Sequence, residues 1–183
     1  MKHKFRKIPV LLIAFSLSLF ANAQKNTIGL SIGFGKDYNY YKDSDVKPNF
    51  IAHYDRNEVV TFGNWGSLSI GAMYAYKSAE YSLSTTKANW KNNIFGLRPA
   101  LHFNVDKSKK LDIYAGTFLG IRFSKYEERI DGTAGQIHYS DKKSTFTAGY
   151  FGGASYKFIK QLSVFAEAGN DISNFRTGLQ FHF

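Results

Sequence analysis

From about residue 28 onward the chain alternates apolar and polar positions. Ile28, Leu30, Ile32 and Phe34 are interleaved with Gly29, Ser31, Gly33 and Gly35. Leu68, Ile70, Ala72, Tyr74 and Tyr76 are interleaved with Ser67, Ser69, Gly71, Met73 and Ala75. Phe95, Leu97, Pro99, Leu101 and Phe103 follow the same rule against Gly96, Arg98, Ala100 and His102. So do Leu162, Val164, Ala166 and Ala168 against Ser163, Phe165, Glu167 and Gly169, and Phe175, Thr177, Leu179, Phe181 and Phe183 against Arg176, Gly178, Gln180 and His182. Successive side chains of an extended chain point to opposite faces, so each run predicts a strand with one apolar face and one small or polar face. The longest run is Leu111–Phe123. Leu111, Ile113, Ala115, Thr117, Leu119, Ile121 and Phe123 share one face, and Asp112, Tyr114, Gly116, Phe118, Gly120 and Arg122 share the other. A helix would mix these sets on every side. The run exceeds the usual globular strand of about 5–6 residues and suits a tilted membrane strand, which needs about 9–11. Weaker strands near Asn49–Val60 and Thr145–Lys157 bring the expected number to eight.

The intervals between strands fall near 36–48, 61–65, 79–91, 105–109, 125–144, 158–160 and 171–173. Long and short links alternate until the last, which is short. Short turns at one end and long loops at the other are the habit of outer-membrane barrels, and an even strand number leaves both chain ends on the same side. Lipid offers no partner to an open sheet edge, so strands that face it must close on themselves. The expected fold is therefore all-β, an eight-stranded antiparallel up-and-down transmembrane β-barrel. A soluble lipocalin-like barrel would need a polar outer face, and here the more regular face is apolar.

The first residues carry a different signal. Met1–Lys7 is basic, Ile8–Phe20 is apolar, and Ala21-Asn22-Ala23 precedes Gln24. A positive start, a short apolar stretch and a small-x-small site describe a cleavable secretory signal peptide. The apolar stretch falls short of the ~20 residues of a spanning helix. The expected organisation is a signal peptide over 1–23 and a barrel domain over 24–183, with the outer membrane of a Gram-negative bacterium as the destination.

Composition changes little in this picture. Aromatic residues make up 17% of the chain, with 16 glycines, 3 prolines and no cysteine. The absence of cysteine excludes disulfides, thiolate metal sites and a lipid anchor at the cleavage site. The formal net charge is +10, but Lys2, Lys4, Arg6 and Lys7 belong to the leader. The remaining cations are scattered between strands without a visible basic stripe, so nucleic acid is not an expected partner. Anionic lipid headgroups fit the surplus better.

Candidate chemistry is confined to a few places. The inward face carries Asp55, Arg98, His102, Asp112, Arg122, Glu167, Arg176 and His182. Charges in a narrow lumen must pair or be wetted, so the expectation is a network of Arg–carboxylate pairs that fills the lumen, with a gated ion path as the alternative. Outward aromatics such as Tyr74, Tyr76, Phe103 and Phe123, with Trp65 and Trp90 near strand ends, suit headgroup-level belts. His138-Tyr139-Ser140 has the spacing found in outer-membrane lipid A deacylases. No acidic residue lies between Asp141 and Glu167 to orient the base, and the segment reads as loop, so a lipid-modifying enzyme is only a remote alternative. No catalytic residue, cofactor or metal site is expected. Loops 36–48 and 125–144 hold Tyr38, Tyr40, Tyr41, Tyr126, Glu127, Glu128 and Arg129, a mixture suited to an extracellular ligand.

Together the alternating segments resemble the outer-membrane protein β-barrel domain family, the small porin-like or OmpA-like barrels, over the whole of the chain after the leader. Leu97–Phe103 and Leu111–Gly116 look like its fourth and fifth strands, and Gly153–Phe158 and Phe165–Gly169 like its sixth and seventh. The resemblance implies no shared enzyme activity and no cofactor. It also implies outer-membrane lipids as surroundings and a terminal strand, through Leu179, Phe181 and Phe183, that the barrel-assembly machinery pairs with by edge addition. No peptidoglycan-binding domain is expected after the barrel.

Overall fold

A computed structural model describes residues 25–35, 38, 40–105, 108, 110–132 and 135–183. The leader expected over residues 1–23 lies outside the described residues. Nine strands follow: β1 (Asn26–Phe34), β2 (Asp45–Val46), β3 (Asn49–Phe62), β4 (Gly66–Leu83), β5 (Thr86–Phe103), β6 (Leu111–Gly132), β7 (Gly135–Ile159), β8 (Leu162–Gly169) and β9 (Phe175–His182). Every pairing is antiparallel, and β1 hydrogen-bonds to both β3 and β9, so the sheet closes on itself. The ring consists of the eight longer strands in chain order. The two-residue β2 lies outside that circuit, against the far end of β4 through Asp45↔Glu80 and Val46↔Ala79.

The alternation read from the sequence maps onto the two sides of the ring. Ile28, Leu30 and Ile32 of β1, Phe95 and Leu97 of β5, Leu119, Ile121 and Phe123 of β6, and Leu179 and Phe181 of β9 are all exposed on the outside. Large apolar side chains exposed in continuous rows are untenable in water and natural against lipid. Inside, bulk and space alternate. Phe118, fully buried, lies where a Cβ on Gly96 or Gly120 would stand 2.5–2.6 Å from its ring, so those glycines are the room that the ring occupies.

Two expected loops are not loops. Residues 79–91 continue β4 and β5 into a hairpin whose turn is Ser84-Thr85, with Ser84 at a φ of 41°. Residues 125–144 continue β6 and β7, paired from Leu111↔Tyr156 to Gly132↔Gly135. The physical reason is that both faces of these extensions lie beyond the apolar interior of the membrane. Their outward positions turn polar while the hydrogen-bond ladder continues, so the hydrophobic alternation disappears and the strand does not. The ring is consequently lopsided. β4 to β7 run for 18, 18, 22 and 25 residues, while β8, β9 and β1 have 8, 8 and 9.

Candidate functional site: a layered lumen and a projecting sheet

At mid-height the lumen is crossed by an ion network. Glu167 of β8 accepts from Arg98 Nη2 of β5 at 2.8 Å and from the Tyr114 hydroxyl of β6 at 2.7 Å. Its other oxygen is paired with Arg176 of β9. Arg176 Nη1 also donates to Asp171 at 2.7 Å, and Arg98 Nη1 lies 3.5 Å from Asp55 of β3. Both guanidinium groups rest on the Phe151 ring, at 4.7 and 5.1 Å from its centroid. Two arginines thus stand among three carboxylates. Such groups carry a large desolvation cost that only mutual pairing offsets. Space for the network is made by Gly71, where a Cβ would run into Asp55.

Toward the end where Asn26 and Phe183 lie, the lumen opens into a polar vestibule of about 670 Å³ whose lining includes Asp55, Arg98, His102, Asp112, Gln180 and His182. His102 Nδ1 and Asp112 Oδ2 are 2.8 Å apart there, and Ser69 reaches the other ring nitrogen at 2.9 Å. His182 lies between Ser163 at 2.8 Å and Thr27 at 3.0 Å.

Beyond the network, toward the opposite end, comes an apolar layer: Ile51, Met73, Ala75, Ile94, Phe118 and Ile172, all buried, with Tyr38 packed on it. Arg122 stands 4.1 Å from the Tyr38 ring centroid, and Lys77 sits at 5.5 Å from the same ring while donating to the Gly35 carbonyl. Asn49 and Tyr38 both donate to the Ile172 carbonyl. Burial pushes the Tyr38 phenol up to about 12, with Arg122 opposing the shift.

Of the lumen residues singled out in the sequence, Asp55, Arg98, Glu167 and Arg176 are in one network. His102 and Asp112 form a separate pair in the vestibule, and Arg122 stands on the other side of the network, against Tyr38. His53, whose Nε2 lies 3.6 Å from Asp55, Tyr114 and Asp171 join the central network and were not expected. Tyr114 had only its inward register as a signal. Asp171 lies in the short link between β8 and β9, where no periodicity applies.

At the far end the long strands carry an aromatic cluster on their inner face. Trp90 is 5.5 Å from Tyr40, 5.2 Å from Tyr41 and 5.2 Å from Tyr126. Tyr41 and Tyr126 hydroxyls are 2.9 Å apart, and burial, followed by this hydrogen bond, raises the Tyr126 pKa well above its ordinary value. The cluster fastens the segment after β1 to the projecting sheet. His138 and Ser140 lie on the opposite, outward face of β7, across from Arg129 and Glu127. Among the described residues no group of His, Asp or Glu is arranged to hold a metal.

The family described as outer membrane protein β-barrel domain matches residues 8–182. Comparison with curated proteins finds none that matches. Among solved structures the chain is similar to the attachment invasion locus protein Ail of Yersinia pestis, at 14% identity over 85% of this chain and 91% of that one, with a TM-score of 0.47. The same protein in complex with the heparin analogue sucrose octasulfate gives 15% identity over 85% and 91%, with a TM-score of 0.48. Neisserial surface protein A gives 13% identity over 88% and 99%, with a TM-score of 0.44.

Proposed function

Since the chain belongs to the outer-membrane protein β-barrel domain family and is a protein of the Gram-negative outer membrane, we propose that it is a non-enzymatic barrel with a filled lumen whose projecting sheet makes contacts at the cell surface. In this reading residues 1–23 are a cleaved leader and 24–183 form the barrel. The vestibule end faces the periplasm and the long hairpins face outward.

The observation that carries the reading is the double closure of the lumen. An ion entering from the vestibule meets Arg98, Glu167 and Arg176 already engaged with one another, and behind them a layer of Ile51, Met73, Ile94 and Phe118. Conduction would require breaking buried ion pairs and wetting an apolar layer at once. Single-channel recording on the refolded chain, after its heat-shifted gel band confirms folding, tests this. Silence is the expected result. Discrete current steps that change with Arg98→Ala would overturn it in favour of a small pore.

The surface role rests on the β7 edge. β7 pairs with β8 only from Phe151↔Gly169 to Ile159↔Leu162, so among the described residues Gly135–Gly149 have no strand on that side. An exposed edge is a template for an added strand from another chain. Cells carrying a chain shortened through both arms of the β6–β7 hairpin should lose surface adhesion while keeping the folded barrel. Unchanged adhesion would remove this part. Leu179 and Phe181 of β9, the strand that closes the ring against β1, and Phe183 directly after it are read as the segment engaged by the assembly machinery, and Phe183→Ala should slow insertion. Ser140→Ala should leave lipid A and phospholipid profiles unchanged.

A further inference from the structure

Cations that are scattered in the sequence are brought into rows by the register of β4 to β7. On the outward face of these strands Tyr74, Phe95, Ile121 and Phe146 lie side by side, followed two residues farther out by Tyr76, Asn93, Phe123 and Ser144. The next row is Ser78, Lys91, Lys125 and Lys142, with the three lysines directly opposite one another on adjacent strands. After an intervening row of Glu80, Asn89, Glu127 and Ser140 comes a second cationic row, Ser82, Lys87, Arg129 and His138.

Like charges placed directly opposite each other destabilise a sheet, and the acids nearby relieve this only at Lys125. Glu80 is paired with Lys47 at 2.7 Å and Glu127 with Lys125 at 2.6 Å. Among the described residues Lys91, Lys142, Lys87 and Arg129 have no carboxylate at ion-pair distance. The first lysine row stands four residues beyond the Phe95 row, about 13 Å along the strands at ~3.3 Å per residue. That is headgroup height if the aromatic rows mark the lipid boundary. Among the described residues the short side has no counterpart: the outward positions of β8, β9 and β1 are apolar, alanine or threonine, from Val164 and Phe175 to Leu179, Ile28 and Phe34.

We infer that the lysine row Lys91–Lys125–Lys142, backed by Lys87 and Arg129, is a binding site for the phosphate groups of a glycolipid in the outer leaflet. A soluble polyanion would have the same charge. The outward, membrane-side position next to lipid-facing aromatics favours the lipid as its source. The inference rests on the barrel's place in the outer membrane and not on the closed lumen or the β7 edge.

The test uses the mature chain in phosphatidylcholine nanodiscs containing bis-phosphorylated lipid A or the same lipid without phosphates. Lipid retained per barrel is counted by native mass spectrometry. The wild type should retain the phosphorylated form selectively, and K91Q/K125Q/K142Q should reduce retention about ten- to a hundredfold while keeping the heat-shifted band. K110Q/K160Q, at the opposite end of the barrel, is the control and should retain it fully. Equal retention of both lipids, or no change in the triple variant, would overturn the assignment. Tripolyphosphate binding without lipid A selectivity would also overturn it, by naming a soluble anion instead. Should the triple variant not fold, loss of wild-type selectivity on raising salt gives the same discrimination, because exposed charges are screened.

Discussion

The two sides of the ring share one lumen and differ in everything beyond it. On the short side β8, β9 and β1 extend for 8–9 residues, and their outward positions are apolar, alanine or threonine. On the long side β5 to β7 carry the same apolar belt and then continue through cationic rows on the outside and a Trp–Tyr cluster on the inside. The short side is a strand cut to the thickness of the membrane. The long side is that strand with a second structure built on it, held by the same ladder but answerable to water. The ion network joins the two, since Arg98 comes from the long side and Glu167 and Arg176 from the short one.

The largest effect should come from cutting that link. Glu167→Ala leaves two buried guanidinium groups without their shared partner and should cost about 3–5 kcal/mol, read as a lower urea midpoint for loss of the heat-shifted band in lipid vesicles. A midpoint within error of wild type would mean that the two sides are held by the ladder alone. Next comes the same kind of substitution at two levels. Leu30→Arg, on the lipid face of the short side, should cost about 2–4 kcal/mol. Ile137→Arg, on the projection and 65% exposed, should stay within about 0.5 kcal/mol. Equal costs would erase the distinction between the two regions. Trimming both arms of the β6–β7 hairpin from 127 to 138 should leave the folded band in place. Its disappearance would make the projection part of the folding unit.

The smallest effect sharpens the electrostatics of the projection. Glu127 is held below the ordinary carboxylate range first by its hydrogen bond from Lys125, with Lys91 and His138 adding to the pull. A depressed carboxyl contributes its stabilisation above its unfolded pKa and loses it as pH falls through the folded one. Lys125→Gln should therefore move the Glu127 titration up toward the ordinary value, followed by the carboxyl carbon shift in NMR. An unmoved titration would show that Lys125 is not its principal partner.

Legibility from sequence followed the solvent. Where one face meets lipid, as in Ile28–Phe34 and Leu111–Phe123, alternation marked the strand and its faces correctly. Past Phe123 and before Phe146 the described outward residues are Lys, Glu, Arg, Asp, Gln, His and Ser, and the same backbone geometry left no hydrophobic trace on that face. The stretch 125–144 therefore read as a loop. The lumen shows the same division: Arg98 and Glu167 were visible as inward charges, whereas Asp171, in a link, and His53, in a weakly patterned strand, were not.

What the sequence determined by itself is the class of solution. Period-two apolar rows too long for a globular strand require lipid outside, and lipid requires closure, because unpaired backbone groups have no partner there. Register was left to the tertiary structure. Which inward arginine meets which carboxylate, and whether lysines from three strands stand apart or in one row, depends on how neighbouring strands slide past one another. A slip of a single residue would turn each side chain to the other face.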